Sequence, residues 1–177
     1  MPKEAEGARK QRTKVEDIQP FEVNLDLKID AYIPDSYIKD EKQKIEMYKR
    51  FRGLESQDEI HDLRDELIDR FGEYPTEVDN LFHVSILKMI AKKERIETII
   101  EKKARIDLVI EEERTKEMDG AKLFDLANQY GRMMQLGADG NKLKISFRFN
   151  KEQEKRRYEI LEEFLDSLQK MNRMEMV

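Results

Sequence analysis

Cysteine is absent from this 177-residue sequence. That excludes disulfides, thiolate nucleophiles and cysteine-ligated zinc, and it suits a reducing cytoplasm, so a cytoplasmic location is expected. No apolar run approaches the roughly 18 residues that a membrane helix needs, and the N-terminus lacks the apolar core of a signal peptide. No membrane contact is expected. Histidine occurs only at positions 61 and 83. Neither has a serine, an acid or a second histidine at a catalytic spacing, and both read as surface or core residues. A phosphate loop is missing too: no G-x-x-x-x-G-K-S/T occurs, and the stretch from Gly137 to Lys142 has neither its spacing nor its hydroxyl. Asp58-Glu59-Ile60-His61 imitates an acidic box, but such a box follows a buried strand and Gly53-Leu54-Glu55-Ser56-Gln57 is none. Nor is there an excess of positive charge. With 34 bases against 39 acids the net charge is -5, which argues against general affinity for nucleic-acid phosphates or anionic membrane while allowing a local basic patch. No active site is expected: no catalytic residue, cofactor or metal.

What the chain does have is charge and pattern. Charged residues make up 41% and hydrophobic ones 38%, the composition of helices with heavily solvated faces. The length fits one domain with a sizeable core. Residues 1–20 are polar and aperiodic and read as a flexible linker or domain edge, leaving residues 21–177 as the domain. From Phe21 to Ile33 every odd position is apolar, and every even one from Glu22 to Asp30 is polar or charged. This alternation predicts one long strand, about 40 Å at 3.3 Å per residue, serving as the spine of a sheet and stopped by Pro34.

Beyond it, a turn at Pro34-Asp35-Ser36 leads to a helix ending near Arg52, with Ile38, Ile45, Tyr48 and Phe51 as its apolar stripe and Gly53 as its stop. Ser56 and Glu59 form a capping-box pattern opening a second helix with Ile60, Leu63, Leu67 and Phe71 on one face. Pro75 starts a third helix to about Arg95, whose wide apolar arc marks it as the most buried. Ile96 to Glu111 is β-branched and reads as two strands around Lys102-Lys103-Ala104, with a continued helix over 96–103 as the alternative. Asp119 caps a helix through Tyr130. Residues 133–136 and 143–149 read as a hairpin turning over Gly137-Ala138-Asp139-Gly140-Asn141, and Asn150 caps a final helix. The expected fold class is α+β: a small, mostly antiparallel sheet with one long strand, packed against about five helices.

The strongest polar signal is on the second helix. At about 100° per residue, Asp58, Asp62, Asp65, Glu66 and Asp69 lie opposite the apolar stripe. The pairs 58/62, 62/66 and 65/69 are like charges one turn apart, each destabilising by roughly 0.2–0.5 kcal/mol in an isolated helix. Arg64 and Arg70 flank the face without neutralising all of it. It reads either as a solvated acidic face or as a dock for a basic surface. A hard-cation site from Asp62, Asp65, Glu66 and Asp69 is the weaker alternative, because one helix fans its carboxylates outwards. Basic clusters at Lys49-Arg50-Arg52, Lys92-Lys93-Arg95, Lys102-Lys103-Arg105 and Lys155-Arg156-Arg157 are scattered among acids without interleaved aromatics, and read as solvated helix faces.

Three blocks carry a resemblance: residues 30–38 (DAYIPDSYI), 44–50 (KIEMYKR) and 65–75 (DELIDRFGEYP). In this order and spacing they closely resemble the C-terminal domain of the bacterial transcription-repair coupling factor (Mfd) family, from about Phe21 to the last helix. After Ile96 the resemblance lies mainly in the order of elements. The family is an ATP-dependent DNA translocase that pushes stalled RNA polymerase off damaged template and recruits the excision-repair protein UvrA. This sequence contains no ATPase motor, polymerase-binding module or UvrB-like module, so those activities, with ATP and magnesium, are assigned to the parent protein. For this domain the resemblance implies a noncatalytic, autoinhibitory role in DNA repair. It packs on the UvrB-like N-terminal module of the same protein, masks the UvrA-binding surface and restrains the motor, with UvrA and RNA polymerase as indirect partners and DNA reached only through the parent. The family's Glu and Asp that face arginines of that module fall on Glu66 and Asp69; Asp62 and Asp65 are added from helical geometry. The alternative is a nucleic-acid-contacting accessory module of the translocase.

Overall fold

The apolar residues recur every three to four positions from Ile60 to Phe71 and every second position from Leu143 to Phe147, and the backbone is helical over the first stretch and extended over the second. The computed structural model describes residues 21–175, so the expected linker over 1–20 lies outside the described residues. The elements run β1 (Asn24–Asp26), α1 (Glu41–Arg52), α2 (Gln57–Phe71), α3 (Thr76–Glu94), β2 (Ile96–Lys102), β3 (Arg105–Ile110), α4 (Glu112–Glu117), α5 (Gly120–Tyr130), a 3-10 turn (Gly131–Met133), β4 (Met134–Asp139), β5 (Lys142–Arg148), α6 (Lys151–Glu154) and α7 (Arg157–Glu175). This is an α+β fold. The short helices α4 and α6 add to five longer ones, and the stretch from Ile96 resolves into two strands rather than a continued helix.

The sheet has the order β1-β2-β3-β5-β4. Only the β1–β2 pair is parallel, so the sheet is mostly antiparallel. Here one expectation is corrected: the long spine strand is not formed. Only Asn24–Asp26 pairs, and it lies at the sheet edge; the centre is β3. Half-burial still alternates along residues 21–32. However, the backbone donors after Asp26 leave the ladder: Lys28 N–H goes to Glu101 Oε1 (3.0 Å) and Tyr32 N–H to the Glu77 carbonyl (3.2 Å). Alternation reports a two-faced extended chain, whereas strand length depends on what lies alongside.

The sheet buries one face. Ile99, Ile106, Leu108, Ile145 and Phe147 have no exposed surface and pack into a single cluster with the helices. Asp107, on the other face of β3, is flanked by Arg105, Lys102 and Lys144. Helix α3 is apolar on most sides and lies against α1, α7 and β2, with Val78, Phe82, Leu87 and Ala91 fully buried. Phe147 and Phe164 meet edge to face at 5.0 Å. Burying each such ring contributes about 1.5–3 kcal/mol.

Another correction falls on α1. Its buried side is set by Met47 and Phe51, one turn apart, while Ile45 is 52% exposed. Ile45 sits two residues before Met47, about 200° round the helix, on the solvent side. The hairpin turn is also tighter than expected: Gly137-Ala138-Asp139 pair within β4, and the turn is Gly140-Asn141, with Gly140 at φ 61°.

Candidate functional site: the outer face of helix α2

Helix α2 is fixed at both ends. At its start Ser56 Oγ accepts the Glu59 N–H (3.2 Å), as the capping pattern predicts, while the Glu59 carboxylate accepts the Glu55 N–H (2.8 Å), one residue earlier than expected. At its end Tyr37 Oη lies 2.7 Å from the Gly72 carbonyl and 3.1 Å from that of Leu67. Gly72 turns the chain away at φ 85°, a left-handed value that a side chain disfavours. Burial, then the nearby Tyr74, raises the pKa of Tyr37 and keeps its hydroxyl protonated as a donor. Between these ends Ile60, Leu63 and Leu67 are buried, which turns the opposite side to water.

The acidic residues on that side separate into two groups. Glu66 lies on the flank facing α1, where Arg50 Nη1 approaches it at 2.5 Å and Arg70 Nη1 at 3.0 Å, and its side chain is 33% exposed. The hydrogen bond from Arg50 is the largest influence on its carboxyl and, with Arg70, outweighs burial to hold the pKa below the usual carboxylate range. The expectation of a Glu66 left without counter-charge is therefore corrected. Arg50 comes from one of the basic clusters, and only the packing of α1 on α2 brings it there.

Asp58, Asp62, Asp65 and Asp69 form a stripe at intervals of four, three and four residues, and all are exposed. Asp65 has His61 at 3.4 Å. Among the described residues, Asp58, Asp62 and Asp69 have no ion-pair or hydrogen-bond partner. The neighbouring cations are committed elsewhere. Arg64 lies over the Phe82 ring at 4.9 Å, and Arg70 is held by Glu66 and the Phe71 ring. Asp58 stands in the first turn, where the helix dipole favours a carboxylate; Asp69 stands in the last turn, where it does not. Beside Asp65 and Asp69, Ile68 is 46% exposed, and the three residues and Glu66 border a shallow open depression.

Several other ionisable residues tie elements of the fold together. His83 Nδ1 lies 2.6 Å from Glu162 and Nε2 3.3 Å from Asp79, tying α3 to α7. Buried Glu101 takes Arg157, the Tyr158 hydroxyl and the Lys28 amide, and buried Glu94 takes Arg114 and Asn172. Arg105, Arg156 and Arg157, from two basic clusters, all lie in ion pairs. Among the described residues no group of three or more His, Asp or Glu side chains is arranged to hold a metal ion, and no helix is long and apolar enough to cross a membrane.

Comparison with known proteins bears on what such a domain is part of. The TRCF domain family matches residues 27–121, and the transcription-repair-coupling factor of Bacillus subtilis is 51% identical over 128 residues, or 72% of this chain. The chain belongs to the transcription-repair-coupling factor family. The Staphylococcus haemolyticus factor is 35% identical over 143 residues, or 81% of the chain. A solved structure described as the C-terminal domain of transcription-repair coupling factor superposes with a TM-score of 0.79 at 28% identity, covering 86% of this chain and 94% of that one. The chain corresponds to that C-terminal domain and spans only 11–12% of the length of these two relatives. The family match ends within the first turn of α5, so it includes α1, α2 and α3 and leaves out β4, β5 and α7.

Proposed function

We propose that this domain is a noncatalytic regulatory module of a transcription-coupled repair translocase. Through the outer face of α2 it packs on the UvrB-like module of the same protein, covers that module's UvrA-binding surface and restrains the motor. The observation that carries this reading is the Asp69 carboxylate. It is exposed, has no counter-charge among the described residues, and sits in the helix turn where its charge is locally unfavourable. An arginine from another module relieves both penalties at once.

Asp62 and Asp65 extend the same stripe, and exposed Ile68 offers an apolar contact between the charge pairs. Glu66 has a different part from the one its charge suggests. It anchors Arg50 and Arg70 and so sets how α2 lies on α1, and a partner arginine reaches only the third of it left open. Rim pairs of this type contribute about 0–1 kcal/mol each, so the contact is releasable by a competing partner, as a restraint requires. UvrA and RNA polymerase are reached indirectly, and DNA, ATP and magnesium belong to the parent's other modules.

The test is Asp69→Arg, alone and with Glu66→Arg, in the intact parent protein. UvrA binding should rise about fivefold or more, from the loss of one rim pair worth up to about 1 kcal/mol plus the like-charge repulsion that the new arginine adds, and motor activity should rise with it. Asp69→Arg alone is the cleaner variant, because Glu66→Arg also sets three guanidinium groups together at the α1–α2 contact. Unchanged UvrA affinity in a folded double variant counts against the reading.

A further inference from the structure

A second surface lies where the C-terminal end of α1 meets the outer side of α3. It is a groove of about 350 Å³. Phe51, Leu54, Val84 and Met89 supply apolar lining, and the rim carries Arg52, Lys88, Lys92 and Lys93. All four cations are exposed, and none has an ion-pair partner among the described residues; Glu55 is the single acid lining the groove. Arg52 is unpaired where most other described arginines are paired, and beside it the groove gathers three unpaired lysines in a chain whose 39 acids outnumber its 34 bases. The helix dipoles account for cations in the last turns, namely Arg52, Lys92 and Lys93. They do not account for Lys88, which lies further back in α3 and adds a like-charge neighbour one turn from Lys92.

We infer that this groove is a docking site for one acidic amphipathic helix of a partner protein, its apolar side chains seated between α1 and α3 and its carboxylates paired with Lys88, Lys92, Lys93 and Arg52. The dimensions fit such an occupant. Val84 to Lys93 spans about 14 Å along α3 at 1.5 Å per residue, matching apolar anchors at i, i+3 or i+4, and i+7 of a bound helix. A peptide that binds by strand addition requires an open sheet edge, whereas the groove's walls are helices; a polyproline-type peptide requires exposed aromatics, and none is present there. A nucleic-acid backbone matches the rim but gains nothing from the apolar floor, and no exposed aromatic is present there for a base to stack on. The site is distinct from the acidic stripe of α2, which calls for a partner of opposite charge.

The test uses the full chain with ¹³C-methyl methionine, the Met89 signal being identified by Met89→Leu. The probes are a designed helical peptide about four turns long with leucines on one face and flanking glutamates, a scrambled version, a lysine-flanked version and a short DNA duplex. The acidic amphipathic peptide should shift Met89 and bind at least about tenfold tighter than its scramble. Lys88→Glu with Lys92→Glu should weaken it by about tenfold or more and transfer binding to the lysine-flanked peptide. Both lysines are exposed, and Lys88→Gln with Lys92→Gln provides a milder pair should the reversal disturb α3. The inference is overturned by an unmoved Met89, by equal binding of the scramble, or by DNA shifting Met89 with the same dependence on these lysines. Self-association of the chain through this groove, seen in sedimentation and lost in the charge-reversed pair, also overturns it.

Discussion

At the residue scale, two carboxylates three positions apart on one helix have opposite local circumstances. Glu66 is held by Arg50 and Arg70, and its lowered pKa makes its contribution present above the unfolded value and lost as pH falls through the folded one. At one third exposure that contribution is small, about 0.2–1 kcal/mol. Asp69 has no such partner among the described residues and opposes the helix dipole. The Asp69→Lys variant of the isolated domain is therefore expected to be more stable by about 0.3–1 kcal/mol in urea unfolding. A residue whose replacement stabilises the domain while weakening its docking is one retained for an external contact. A drop in stability for this variant would show that Asp69 has an internal role. The notation of the sequence alone assigns both acids to one face; the arginines that distinguish them come from α1 and from the flank of α2.

At the scale of the element, helix α2 was largely legible. Ser56 and the Ile60–Leu63–Leu67 spacing are local signals, acting within a turn or so of the residues they control, and each acts as it reads. Replacing Ser56 by alanine is expected to cost about 1 kcal/mol, since it removes the acceptor for the Glu59 N–H. Thermal unfolding measures that loss, and Ser56→Asp should restore most of it. Helix α5, capped by Asp119 and stopped at Gly131, was equally legible. The long strand was not. Its alternation survives as half-burial, but strand pairing requires a neighbour, and β2 accompanies it for only three residues. Helix α4 escaped notice because six residues rich in charge, with none of them buried, carry no periodic signal.

At the scale of the whole molecule, polar links between distant segments tie the helices to one another and to the sheet. His83 on α3 and Glu162 on α7 are 79 positions apart. The hydrogen bond to Glu162 is the main cause of the raised His83 pKa; burial opposes it, and the charges of Glu162 and Asp79 reinforce it. A raised folded pKa makes the stabilisation complete below the unfolded value of about 6.5 and lost as pH rises through the folded value. Urea midpoints should therefore fall as pH rises above about 6.5 and through the raised folded value, and His83→Gln should flatten this part of the profile. An unchanged slope in that variant would remove His83 as its source.

The sequence by itself determined the α+β class, the ends of most helices, the apolar face of each long one and the family, because caps, glycine stops and short-period patterns act through neighbouring residues. Tertiary structure alone decided which strand is central, which acid is neutralised and where cations are left unpaired around an apolar groove. Those outcomes depend on the register in which α1, α2 and α3 pack. Contacts between residues far apart in the chain set that register, and no local spacing encodes it.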